Sequence, residues 1–133
     1  MAFQFSAAAR NAALDAIEVA IGLSPTLEIR SGVVPANCAA AATGVVLATL
    51  VLPADYLAAA AAGAKGIAGT WQDIAADATG TAAHFRINQG VACHVQGTVT
   101  LTAGGGDMTL DSVSITAGQQ VTVTAFTINA GGA

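Results

Sequence analysis

The order of apolar and polar positions divides the chain into one helix followed by a series of short strands. Between Ser6 and Gly22, Ala13, Leu14, Ile17, Ala20 and Ile21 recur at three- and four-residue spacing, with Arg10, Asn11, Asp15 and Glu18 on the other side. Ser6 is a capping residue and Gly22 a stop, so the pattern predicts a helix over residues 6–22 with one apolar face. Ahead of it Phe3 and Phe5 alternate with Gln4, which reads as an extended arm completing a sheet, this chain's own before a neighbour's.

Leu27 and Ile29 alternate with Glu28 and Arg30, as a half-buried strand requires. Residues 33–43 read as a loop, and Val45 to Leu52, closed by Pro53, as the most buried strand. Ala58 to Ala62 is helical by propensity, but Gly63, Gly66 and Gly69 follow closely, and the segment is left open. From Ile67 onward the chain reads as strand and turn around Trp71, Phe85, Val95, Leu101, Leu110, Ile115 and Phe126.

Parity predicts two hairpins, since a wrong loop length sets apolar against polar residues. A three-residue loop Asn88-Gln89-Gly90 sets Ile87 opposite Val91 and Phe85 opposite Cys93, and so His84 opposite His94 on the polar face beside Arg86. In the second, an even-numbered connection at Gly104-Gly105 turns Val99 and Leu101 toward Leu110 and Met108. Val121 and Val123 share a parity that Phe126 and Ile128 do not, which predicts a bulge or bend near Thr124 and Ala125. The expected fold is mainly β: an antiparallel β-sandwich of seven or eight short strands with one N-terminal α-helix. The whole chain, 1–133, reads as one domain, with arm 1–5, helix 6–22, sandwich 26–129 and flexible tail 130–133.

Composition shifts attention from chemistry to surface. Of 133 residues only 4 are basic and 8 acidic, far below the roughly one quarter usual in soluble domains. Alanine accounts for 33 positions, and 37 larger apolar side chains remain for one two-layer core. Such a bland surface suits a protein packed against copies of itself or a larger assembly. With no basic stripe, direct nucleic-acid binding is not expected.

The start carries no secretory pattern, so synthesis in the cytoplasm is expected. The uncharged run from Ser31 to Ala54 is interrupted by Pro35, Asn37, Gly44 and Pro53, so no membrane span is expected. Cys38 and Cys93 show no metal spacing and read as two buried thiols.

No catalytic constellation stands out, and no cofactor or metal is expected. Cys93 and His94, adjacent on a strand, leave by opposite faces, and the His84/His94 pair would need a third metal ligand such as Asp73 or Asp77. Asp107 and Asp111 suit turns, and Gly104-Gly105-Gly106 lacks the Lys-Ser or Lys-Thr of a phosphate loop. Trp71 and Tyr56 could stack on a sugar, but Trp71 alternates with Ile67 and Gly69 as a core residue does.

The segment Asp107 to Ile128, DMTLDSVSITAGQQVTVTAFTI, resembles the end of small virion-associated proteins of tailed bacteriophages. Ala9 to Ala16, Leu27 to Gly32 with Pro35-Ala-Asn, and Ala78 to Ile87 stand in similar order in that group. The resemblance covers nearly the whole chain; the alanine run and the cysteines depart from it. It implies a virion structural protein: a capsid decoration or cement protein bound to the major capsid protein, as a homo-oligomer with a trimer favoured. A minor tail or head-tail connector subunit is the alternative, and a carbohydrate-binding or host-recognition module the second. Phe3, Phe5, Val33, Val34, Pro35, His84, Arg86 and His94 are the candidate interface residues.

Overall fold

The computed structural model describes residues 3–131. Helix α1 spans Ala7–Ile21, with the Ser6 hydroxyl accepting from the Ala9 amide at 3.1 Å and Gly22, at φ +89°, closing it. Among the described residues eleven strands follow, most of them short: β1 (Thr26–Arg30), β2 (Val46–Val51), β3 (Ala64–Gly66), β4 (Trp71–Asp73), β5 (Gly80–Thr81), β6 (His84–Gln89), β7 (Ala92–Leu101), β8 (Met108–Leu110), β9 (Ser114–Ile115), β10 (Val121–Val123) and β11 (Thr127–Asn129). The chain is mainly β with an N-terminal helix, as its patterning predicts. Strands are more numerous than expected because several are only two or three residues long.

One layer is a five-stranded sheet in the order β2-β1-β6-β7-β8. Three two-stranded ribbons, β10-β4, β11-β3 and β5-β9, supply the other strands. The core lies against Leu27, Ile29, Phe85 and Ile87 of the sheet, and an aromatic chain runs through it. Trp71 packs 6.5 Å from Tyr56 and 6.0 Å from Phe126, which meets Phe85 edge-on at 5.3 Å. Trp71 is fully buried and its indole N–H donates to the Tyr56 carbonyl at 3.0 Å, so neither ring is available to stack on a sugar.

Both hairpin expectations are corrected. The β6–β7 turn is the tighter one, pairing Gln89 with Ala92 around Gly90-Val91, and a bulge at His94 then restores parity. Ile87 therefore faces Val95, Phe85 faces Gly97, and His84 faces Thr98 rather than His94. The second connection doubles back, so that β8 runs parallel to β7 with Val99 opposite Met108 and Leu101 opposite Leu110. Asp107 fixes that return, its carboxylate accepting from the Thr98 amide at 2.9 Å and hydroxyl at 3.1 Å. Gly97 makes room for it, since a Cβ there would stand 2.8 Å from the Asp107 carboxylate and 2.9 Å from the Phe85 ring.

The bend expected near Thr124 and Ala125 is present: β10 ends at Val123 and β11 joins a different ribbon. The alanine run is not helical. Ala61 and Ala64 bridge around Ala62-Gly63, both at positive φ, in a tight turn leading into β3. The Phe3 to Phe5 arm belongs to no strand, against the expectation that it completes its own sheet. Ala130, the first residue of the expected tail, donates its amide to the Gly63 carbonyl; residues 132 and 133 lie outside the described residues.

Candidate interaction surfaces

Helix α1 packs on the body through two apolar residues flanked by polar ones. Leu14 and Ile21 are its buried residues, and helical geometry puts Arg10, Asn11 and Glu18 within about 60° of Leu14. Those polar groups meet the turn at Ala62-Gly63 and β3. Asn11 accepts from the Gly63 amide at 2.9 Å, Asp15 accepts from the Ala60 amide at 3.3 Å, and the Arg10 guanidinium lies against Gly63. Lys65, only 2% exposed, sits 2.7 Å from both the Asp15 and the Glu18 carboxylates.

The ion pairs outweigh the burial that alone would lower the Lys65 pKa, and it stands above the usual lysine range. Lys65, and then the Ala60 amide, hold Asp15 below the usual carboxylate range. The helix is tied further by the Tyr56 hydroxyl donating to the Glu18 carbonyl and by Gln89 donating to the Ile21 and Leu23 carbonyls. Burial, with the Glu18 charge, pushes the Tyr56 phenol up to about 12.

Apart from Asp15, 54% exposed at its edge, what remains outside is apolar. Ala8, Ala9, Ala12, Ala13, Ala16 and Ala20, with Ile17 and Val19, are all exposed, and no charged or amide side chain interrupts them. Phe5 lies at one end of this half-cylinder, 51% exposed, and Leu23 at the other, 74% exposed. The expected apolar face exists, but Ala13, Ile17 and Ala20 point to solvent instead of to the body. Amphipathic spacing alone does not say which side docks; the buried Lys65, invisible as such in sequence, decides it.

The second surface is the loop 31–45, held down over the polar face of the five-stranded sheet. Arg86, 6% exposed, donates to Gln96 at 3.1 Å and to the carbonyls of Asn37, Cys38 and Ala40 at 3.2, 3.3 and 2.8 Å. Gln96 donates to the Pro35 carbonyl at 2.7 Å. Cys38 and Cys93 are half-buried and joined as a disulfide, Cα to Cα 5.2 Å, which corrects the expectation of two thiols. The reason is the Arg86 clamp, which lays the loop carbonyls at 37–40 over β6, where Cys93 sits opposite Asn88 beside the β7 bulge.

His84 is fully buried, with Nδ1 at 2.9 Å from the Gly32 carbonyl; since a carbonyl only accepts, Nδ1 carries the proton. Its Nε2 finds no partner among the described residues. Burial holds its pKa below the ordinary value of 6.5, against the Gly32 carbonyl, and Arg30 and Arg86 add to the depression.

The candidate interface residues thus separate. Phe3 and Val33 are strongly exposed, Phe5 is exposed, and His94 is exposed on the bulge. Val34 is half-buried and Pro35 buried. His84 and Arg86 are buried and serve the loop from beneath, so they leave the surface list. Among the described residues no group of three or more His, Cys, Asp and Glu is placed to hold a metal, and no helix is long and apolar enough to cross a membrane. No protein-family model, no curated protein and no solved structure matches the chain.

Proposed function

We propose that this protein is a non-enzymatic structural subunit of a tailed-phage virion, a decoration or cement protein that binds the outer surface of the capsid lattice and reinforces it. The observation that carries the assembly role is the outward side of α1, a helix length of apolar surface between exposed Phe5 and Leu23, with Arg10, Asn11 and Glu18 turned toward the body and Asp15 at its rim. Exposed contiguous apolar surface of this kind marks a contact site. The sequence resemblance supplies the particle, and the low charge of the whole chain, 12 charged residues from the 4 and 8 counted, suits dense packing among proteins.

Copy number tests the reading. In purified particles a decoration protein stands in a fixed small-integer ratio to the major capsid protein, measured on a quantitative gel. Absence from particles, or a handful of copies each, contradicts it.

A further inference from the structure

We propose that the outward face of α1 binds a second copy of this chain, helix against antiparallel helix about a two-fold axis, with Phe5 of each copy entering a cleft beside the other's helix end. This rests on the assembly reading only in taking the face as a protein contact, and it names the partner.

The first argument is charge. A two-fold contact sets a patch against its own image, so any charge on the patch confronts a like charge. No charged side chain stands among Ala8, Ala9, Ala12, Ala16, Val19 and Ala20: Glu18 is held at Lys65, the Arg10 guanidinium lies against Gly63, and Asp15, 54% exposed at the rim of the face, is already paired with Lys65. A charged partner would find no mate on it.

The second argument is register. Fifteen helical residues at about 1.5 Å each give a face about 22 Å long, bulky at both ends and flat in the middle. Antiparallel packing centred near residue 14 sets Phe5 against Leu23, Ala9 against Val19 and Ala12 against Ala16 of the second copy, apolar on apolar throughout. Alanines at the crossing let the axes approach to the short end of the usual range, about 8 Å.

The third argument is shape. Beside the C-terminal end of the helix lies an open cleft of about 330 Å³ lined by Glu18, Val19, Gly22, Leu23 and Tyr56. It is largely apolar, and its one acid is already held by Lys65. Phe5, the exposed aromatic at the opposite end, is brought to this cleft by the antiparallel arrangement and by no parallel one. The symmetry is then two-fold, not the threefold that the sequence resemblance implies.

Sedimentation equilibrium on the purified full chain, with circular dichroism as the fold control, tests this. Wild type is expected at twice the chain mass of 12.9 kDa. Ala12→Glu with Ala16→Glu, opposed like charges across the axis, is expected to weaken association at least about a hundredfold. Mixing that protein with Ala12→Lys/Ala16→Lys restores a dimer. Phe5→Ala lies outside the helix, decides the matter should the double variant fail to fold, and is expected to weaken the dimer about tenfold.

A monomer or trimer at micromolar concentration, or a dimer indifferent to both the glutamates and Phe5→Ala, overturns the inference. A dimer absent from particles instead sinks the virion reading and leaves this one standing.

Discussion

Lys65 and Asp15 form a pair of unequal exposure: the ammonium is 2% exposed, while the carboxylate 2.7 Å away is 54% exposed. The pair, with Glu18, draws polar residues of α1 toward the body beside buried Leu14 and Ile21 and leaves the alanine-rich side outside.

The inequality predicts an unequal response to mutation. Lys65→Met removes the buried charge and leaves two acids that water can solvate, so stability is expected within about 1 kcal/mol of wild type. Asp15→Asn with Glu18→Gln strands a buried ammonium and is expected to lower the melting temperature by roughly 5 °C or more. Calorimetry of both variants checks the order; equal losses would mean that the pair does not place the helix.

His84 predicts an acid-side loss of stability. Its folded pKa is lowered, so the unfolded chain binds the proton first, and stability present above pH 6.5 is lost as pH falls below it toward the folded value. The groups around it are Arg30 and Arg86, which oppose protonation, and Glu28, which favours it. Just below pH 6.5 the slope approaches about 1.4 kcal/mol per unit at most. Denaturant titrations across that window should show it in wild type and a flatter dependence in His84→Asn, whatever the absolute stability of the variant. An unchanged slope contradicts the assignment.

The Cys38–Cys93 link closes a loop over 55 residues of separation. Chain-entropy reasoning gives a contribution of about 4 kcal/mol at most, commonly 2–4. Cys38→Ser with Cys93→Ser is therefore expected to unfold at lower denaturant, and proteolysis should cut first between residues 33 and 43. The Arg86 clamp persists without the disulfide, so the rest of the fold should survive. An unchanged midpoint would show that the clamp alone holds the loop.

The patterning of the sequence was enough for the fold class, the helix bounds, the loop 33–43 and the bend after Val123, because each depends on local periodicity or capping. The partners of strands were not legible. His84 was expected opposite His94, yet a bulge at His94 repairs the parity that a two-residue turn breaks, and parity cannot distinguish that pair of errors from one longer loop. Val99 and Met108 were rightly set on one face but in the wrong direction, since the glycines pack against Thr100 and the Asp107 side chain bonds back to Thr98, a return that turn propensity does not show.

Of the candidate interface, Phe3, Phe5, Val33 and His94 remain at the surface, while His84 and Arg86 lie under the loop. Arg86 was placed on the polar face as an interface residue; besides Gln96 its partners are backbone carbonyls, which leave no mark in a sequence.

If a second copy covers the outward face of α1, residue 16 is shielded in the assembly. The direct measurement is the thiol-labelling rate of Ala16→Cys, whose position is exposed and whose native cysteines are tied in the disulfide, in assembled and in dissociated protein. Labelling in the assembly is expected to be slowed about tenfold or more, with full reactivity on dissociation. Equal rates in both states would contradict it.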